Sequence, residues 1–114
     1  MKRALSFLLI ACAAALAVLD VLETELPKVN EKGEYIREKI KAMNLPQVAE
    51  IRGKGLMLCL KLTGVNPGEV NAQLLQNGLV ALTAGTDVLR FLPPLTISKE
   101  DIDAGLEILK SVLG

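Results

Sequence analysis

Leucine occupies every second position from residue 56 to residue 62, and this feature restricts the fold more than any other in the chain. Successive side chains of a β-strand point to opposite faces of a sheet, so the spacing predicts a strand with one continuous apolar face. An apolar face of this kind must be buried against another layer. The chain is therefore expected to pack a sheet against helices or against a second sheet.

Further patterns predict the remaining elements. The predicted helices are a first one ending at Pro27, a second from an N-cap at Asn30 to about Met43, one over Glu69–Gln76 and a last one capped by Ser98. The predicted strands are Val48–Arg52, Leu56–Leu62, Leu79–Thr83 and Val88–Leu92. Because short turns join some strands and helices join others, the expected fold class is α+β: a small, mainly antiparallel sheet with helices packed on one side.

The apolar spacing also predicts which side chains face the core. These are residues 12, 16, 19, 22 and 26 of the first helix and, beyond it, Ile36, Ile40, Met43, Val70, Leu74, Leu75, Ile102, Leu106, Leu109 and Val112. Only 3% of the residues are aromatic, so the core must be built from aliphatic side chains. The length of 114 residues fits one domain.

Charge and composition exclude several classes of function. Thirteen basic and thirteen acidic residues are interspersed, which gives no patch of one sign for nucleic acid or an anionic membrane. The absence of histidine removes the commonest metal ligand and general base. Cys12 and Cys59 are far apart, so they are interpreted as buried free thiols rather than a metal site or disulfide. No phosphate loop or nucleophile elbow occurs, and no catalytic residue or metal ligand is predicted.

The N-terminal segment has two interpretations. The uncharged run from Ala4 to Leu19 follows Lys2 and Arg3, which is the pattern of a secretory signal, and residues 9–12 resemble a lipoprotein cleavage box. However, helical spacing of apolar residues continues beyond Cys12, which favours one buried domain helix. The run also stops at Asp20, short of the roughly twenty residues that cross a bilayer, which argues against a membrane span.

Arg90 is the one charged residue inside the apolar run from residue 88 to residue 94. Alternation places it on the face opposite Leu89 and Phe91. It could lie on the exposed face of an edge strand, or its guanidinium could be held at a cleft to bind a carboxylate through two parallel hydrogen bonds. Arg52 and Lys54 form a second basic spot, which adjacent glycines favour as a solvated turn.

Five segments stand out in order: Ala11–Glu23, Glu31–Glu38, Glu50–Leu58, Gly78–Gly85 and Val88–Leu95, followed by Ile97–Leu109. Together they resemble the C-terminal part of acetylornithine and ornithine aminotransferases, which are class-III enzymes dependent on pyridoxal phosphate (PLP). The resemblance covers residues 11–114 and divides the chain into an N-terminal extension, 1–10, and a small domain, 11–114. Cys59 and Lys61 depart from it, since the family commonly has glycine and an acidic residue there.

The resemblance implies a domain that closes over the substrate while a separate large domain binds PLP through a Schiff-base lysine. None of the nine lysines matches that cofactor motif. We therefore expect no cofactor on this chain alone and no independent catalysis. The intact enzyme is expected to be a cytoplasmic homodimer that transfers an amino group from acetylornithine or ornithine to 2-oxoglutarate in arginine biosynthesis.

The resemblance also implies a role for one side chain. Arg90 matches the arginine of the family segment R-F-x-P-P-L, which binds the α-carboxylate of the substrate. Two alternatives remain open: an exported or lipid-anchored binding module with this fold, and a noncatalytic gene remnant.

Overall fold

The alternating leucines form a central strand of a four-stranded sheet. A computed structural model describes residues 2–114. Its elements are α1 (Lys2–Ala42), β1 (Val48–Arg52), β2 (Leu58–Leu62), α2 (Pro67–Gln76), β3 (Leu82–Ala84), β4 (Val88–Phe91) and α3 (Lys99–Leu113). The strand order is β1-β2-β4-β3, and every neighbouring pair is antiparallel. The predicted α+β class is confirmed.

One face of the sheet is buried under the helices. In the β2–β4 register Leu60 pairs with Leu89 and Leu58 with Phe91, so the leucine stripe of β2 continues onto β4. Leu58, Leu60 and Leu89 are at most 1% exposed. The helices cover this face with buried residues, namely Ile36 and Ile40 of α1, Val70 and Leu74 of α2, and Ile102, Leu106, Leu109 and Leu113 of α3.

The predicted end of α2 at Gln76 and the predicted Ser98 cap of α3 are confirmed, whereas α2 begins at Pro67, two residues before the predicted start at Glu69. Asn66 accepts a hydrogen bond from the Gly68 amide at 2.8 Å, and α2 then begins at Pro67. Ser98 accepts one from the Asp101 amide at 3.2 Å and begins α3. Gly78, which follows the α2 C-cap, has φ +94°, a conformation that glycine adopts without strain.

The prediction that Pro27 ends the first helix is wrong, because α1 runs unbroken through Pro27 and through the predicted cap at Asn30. Proline removes the hydrogen bond to the carbonyl four residues earlier, which belongs to Glu23. Both Glu23 and Pro27 are exposed, so water can satisfy that carbonyl. α1 also crosses residues 10 and 11, the predicted domain boundary, without a break.

The first half of α1 is not buried by the rest of the described chain, contrary to the predicted inner face. Leu16, Leu19 and Leu26 are more than half exposed, Cys12 is an exposed free thiol, and only Leu22 is half-buried. By length and composition α1 is long and apolar enough to cross a membrane, and its most apolar stretch is not buried. Signal sequences have the same properties, so this is weak evidence for a span.

Smaller differences concern element ends and single side chains. β2 begins at Leu58 because residues 54–57 form a turn in which the Met57 amide bonds to the Lys54 carbonyl at 3.0 Å. β3 is shorter than predicted and begins at Leu82, and β4 ends at Phe91. Leu75 is 62% exposed because Val70 and Leu74 already occupy the inner stripe of α2. Met43 and Val112 are half-buried against the core.

Tyr35 joins α1 to α3. Its hydroxyl donates a hydrogen bond to Asp103 at 2.5 Å, and the Nζ atoms of Lys39 and Lys99 lie 5.5 and 5.1 Å from its ring centroid. The hydrogen bond to Asp103 raises the pKa of Tyr35 above its usual value.

We expect Tyr35→Phe to lower the thermal unfolding midpoint at pH 7 modestly, because the hydrogen bond is lost. A raised folded-state pKa means that this contribution is complete below the ordinary tyrosine value of about 10 and is lost as pH rises through the folded value. Unfolding of both proteins from pH 7 to 11 measures the difference. Asp103→Ala should behave in the same way. If the difference in unfolding midpoint between the two proteins disappeared well below pH 10, the hydrogen bond from Tyr35 to Asp103 would not be its source.

Candidate functional site

The charged side chains of the sheet lie on the face opposite the helices, which we call the open face. Alternation along the strands gives it two cross-strand rows: Arg52, Cys59, Arg90 and Leu82 in one, and Glu50, Lys61, Val88 and Ala84 in the other. None of these eight residues is buried within the described chain. The open face is therefore available to a ligand or to another domain.

Arg90 lies near the middle of the open face. It is on β4, between Cys59 of β2 and Leu82 of β3, and it faces away from Leu89, as the alternation predicted. The alternative that Arg90 sits on an edge strand is wrong, because β4 is an interior strand. Backbone pairing on both sides holds its Cα rigidly, which suits a side chain that must present a fixed geometry.

The other cations near Arg90 are paired. Arg52 Nη2 lies 2.9 Å from Glu50 Oε2, and Lys61 Nζ lies 4.0 Å from Asp87 Oδ2. No carboxylate oxygen of residues 2–114 lies within 4.0 Å of the Arg90 guanidinium. Arg90 is therefore the cation of the open face that the described chain leaves without an ion pair.

The Glu50–Arg52 pair shifts both of its members toward their charged forms. The hydrogen bond from Arg52 holds the pKa of Glu50 below its usual value, and the same bond raises the pKa of Arg52. Both side chains are about half exposed. The charge of Arg52 is thus compensated locally, and Arg52 is a weaker candidate than Arg90 for holding an anion.

The Nε atom of Arg90 is buried and has no hydrogen-bond partner among residues 2–114. A buried donor without an acceptor costs about 1–3 kcal/mol, and more for a charged group, so such atoms are rare in folded proteins. Arg90 as a whole residue is half-buried. This donor is therefore available to an acceptor from outside the described residues.

The structure brings together three residues that the sequence analysis considered one by one: Arg52, Cys59 and Arg90. Arg52, interpreted as part of a solvated turn, ends β1 and lies in the same row as Arg90, with Cys59 between them. Cys59 is a half-buried free thiol rather than a fully buried one. Alternation along β2 could assign Cys59 to a face, but the strand order β1-β2-β4 has no local signal. Lys54 follows β1 and is exposed, as a solvated turn residue should be.

An apolar cavity of about 340 Å³ lies on the other side of β4 from Arg90. Phe91, Pro93 and Pro94 line it together with Ile36 of α1 and Asp101 of α3. No cluster of three or more His, Cys, Asp or Glu side chains that could hold a metal occurs among the described residues. Arg90 and the open face are therefore the best-defined candidate site.

The structure thus places a small antiparallel sheet with helices on one face and, on the other, an arginine without an ion pair among residues 2–114. The family model for class-III aminotransferases matches residues 9–113, and the chain belongs to that family. The resemblance inferred from the sequence segments is thus confirmed.

The relatives are acetylornithine and ornithine aminotransferases. The chain is 39% identical over 108 residues to the acetylornithine aminotransferase of Caldanaerobacter subterraneus subsp. tengcongensis, and the match covers 91% of this chain and 28% of that protein. It is 38% identical over 106 residues to the ornithine aminotransferase of Bacillus subtilis, and that match covers 91% of this chain and 26% of the relative. The chain therefore spans little more than a quarter of the curated relatives that it matches.

Solved structures share this fold. The ornithine aminotransferase of Toxoplasma gondii matches with a TM-score of 0.81 and 27% identity, covering 90% of this chain and 26% of that one. The N-acetylornithine aminotransferase of Stenotrophomonas maltophilia matches with a TM-score of 0.73 and 31% identity, covering 78% and 26%.

The family implies PLP in the intact enzyme. A PLP site needs a lysine that is enclosed in a pocket, shielded from water and free to bond to the cofactor. Seven of the nine lysines are exposed, and the two half-buried ones are engaged: Lys32 with Leu95 and Glu25, and Lys61 with Asp87. The residues at positions 2–114 do not fit a PLP site, so we assign them no step that passes through the cofactor.

Proposed function

We propose that this chain is the substrate-side small domain of a PLP-dependent aminotransferase and that Arg90 binds the α-carboxylate of the amino acid substrate. The observation that carries the proposal is the buried, unpartnered Nε of Arg90 on an interior strand. A carboxylate can accept two parallel hydrogen bonds from one guanidinium, through Nε and one terminal nitrogen. Binding would satisfy the donor and neutralise the charge in a single step.

The relatives suggest the substrate. Their names specify acetylornithine and ornithine, both amino acids with an α-carboxylate. We infer that the intact enzyme transfers an amino group from one of these donors to 2-oxoglutarate, as in arginine biosynthesis, in the cytoplasm. The open face serves both substrates in this scheme, because donor and acceptor each carry a carboxylate next to the reacting carbon.

A PLP-binding large domain completes the proposed enzyme. This chain covers only 28% of the acetylornithine aminotransferase that it resembles, and its own residues do not fit the cofactor. The apolar first half of α1, with Leu16 and Leu19 more than half exposed, offers a surface for that domain. The chain is inactive alone in this proposal, and the intact enzyme is a homodimer.

A chimera tests the proposal. Residues 11–114 would replace the aligned C-terminal segment of the Caldanaerobacter enzyme, leaving that protein's large domain intact. We expect the chimera to transaminate N-acetylornithine or ornithine with 2-oxoglutarate, whereas the full chain mixed with PLP does not. The large domain without a C-terminal segment is the control. A folded, PLP-loaded chimera that turns over neither donor would contradict the proposal.

The first half of α1 favours a second candidate, the exported or lipid-anchored binding module. Residues 4–19 carry no charge and none of them is buried. The intact mass of the chain after expression in a bacterium separates the two candidates. Retention of the residues before Cys12 supports the aminotransferase domain. Their loss, with an acyl group on Cys12, supports the anchored module.

A further inference from the structure

Lys32 connects α1 to the loop that follows the Arg90 strand. Its Nζ donates a hydrogen bond to the Leu95 carbonyl at 2.8 Å, across 63 residues of sequence. The same atom lies 3.6 Å from Glu25 Oε2, two turns earlier on α1. The side chains of Lys32 and Glu25 are only 20% and 19% exposed. The bridge is thus largely shielded from water. A charge-assisted hydrogen bond is stronger in such a shielded place than at the surface.

The loop at residues 92–97 packs Leu95 and Ile97 against the core but has few hydrogen bonds of its own. Pro93 and Pro94 have no amide hydrogen to donate. One backbone hydrogen bond closes a turn within it, from the Ile97 amide to the Pro94 carbonyl at 3.0 Å. The Leu95 carbonyl is held instead by Lys32. Because Leu95 is five residues beyond Arg90, this contact ties α1 to the segment that leaves the end of β4.

Glu25 orients the lysine. It lies on the same side of α1 as Lys32, and its second carboxylate oxygen is 3.9 Å from Lys28, whose side chain is 57% exposed. Lys28 therefore shares the carboxylate with Lys32 but makes no bond to the loop. Two lysines of α1, Lys28 and Lys32, thus share one carboxylate, and only Lys32 reaches the loop after Arg90.

We propose that Lys32 is a positioning residue for Arg90 and that Glu25 holds it in place. In this arrangement the position of α1 against the sheet sets the position of the Pro93–Leu95 loop and, through it, the end of β4 that carries Arg90. The inference rests on the proposed function, because it concerns how the carboxylate-binding arginine is aligned.

Kinetics of the chimeric holoenzyme test the role in substrate binding. We expect Lys32→Met to raise the KM for the amino donor about tenfold, because a less well-aligned Arg90 binds the carboxylate more weakly, while kcat stays within about twofold. Lys32→Arg keeps a charged donor and should restore most of the KM. Lys28→Met is the matched control and should leave both constants unchanged. An unchanged KM for Lys32→Met, or a loss that Lys32→Arg does not restore, would overturn the proposal.

Hydrogen exchange on the full chain tests the coupling without any activity. Lys32→Met should speed amide exchange at Ile97, whose amide closes the turn onto the Pro94 carbonyl, and at the end of β4, with no change in α2. Unchanged exchange at these amides overturns the coupling. An unmodified chimera that is inactive counts against the proposed function alone, since the exchange experiment does not depend on it. An active chimera that is insensitive to Lys32→Met counts against Lys32 alone.

Discussion

Arg90→Gln in the chimeric aminotransferase is expected to lower kcat/KM for the amino donor about a hundredfold or more. Truncating one partner of a buried, hydrogen-bonded charge pair costs about 2–5 kcal/mol, and each 1.4 kcal/mol is a factor of ten. The Nε atom of Arg90 is already buried and unpartnered, so a substrate carboxylate does not have to displace an existing protein acceptor. Glutamine keeps a polar side chain on the strand but has neither the charge nor the two parallel donors.

Two further variants separate charge, geometry and location. Arg90→Lys keeps the charge and loses the planar fork, so it should recover only part of the activity. Arg52→Gln removes a cation from the same cross-strand row, but that cation is paired with Glu50 at 2.9 Å and exposed, so we expect little effect. Equal losses for Arg52→Gln and Arg90→Gln would indicate a general electrostatic effect rather than a specific contact.

The stability of the free chain shows whether Arg90 also supports the fold. Because Arg90 makes no ion pair within residues 2–114 and leaves a buried donor unsatisfied, Arg90→Gln should not lower the free energy of unfolding appreciably. Urea denaturation of the full chain measures this. A large loss of stability would assign Arg90 to the fold, and the kinetic loss would then have a structural explanation.

The sequence predicted those parts of the fold that depend on local physics. Alternating leucines on β2 predict a face whatever the strand order, and Ser98 caps a helix through its own neighbours. Pro27 shows the limit of this reasoning. A proline penalty of a few kcal/mol ends an isolated helix, but α1 has buried contacts from Gly33 to Ile40, beyond the proline, and these override it.

The sequence was enough to single out Arg90, but it could not predict which residues surround Arg90 in the folded chain. Arg90 stood out because a charge inside an apolar strand requires a reason. Its position between β2 and β3, next to Cys59, depends on long-range pairing that no local pattern encodes. The role of Lys32 depends on a contact to Leu95 that lies 63 residues away in sequence. The exposed first half of α1 was misjudged for a related reason, since helical spacing shows an apolar face but not what covers it.

Gly33→Ala is expected to destabilise the chain by about 2–3 kcal/mol, the upper part of the range of about 1–3 kcal/mol that forcing extra atoms into a packed interior costs. Gly33 is buried in α1 and packs directly on the turn after β1. A Cβ at this position would lie 2.1 Å from the carbonyl oxygen of Gly55 and 2.7 Å from its carbonyl carbon. Both are backbone atoms, and Arg37 donates to the same oxygen at 3.1 Å, so α1 and the turn must separate to accept the methyl group.

Gly105→Ala provides the matched control, because it makes the same chemical change inside a different helix. A Cβ at Gly105 would meet only Leu79 Cδ1 at 3.5 Å, an ordinary contact. Alanine is favoured over glycine in a helix interior by about 0.8–1 kcal/mol, so Gly105→Ala should stabilise the chain by up to that amount. Urea denaturation compares the two, and opposite signs are expected. If Gly33→Ala were also stabilising, α1 could not lie against the Gly55 turn, and the anchoring of Lys32 one residue earlier would lose its geometric basis.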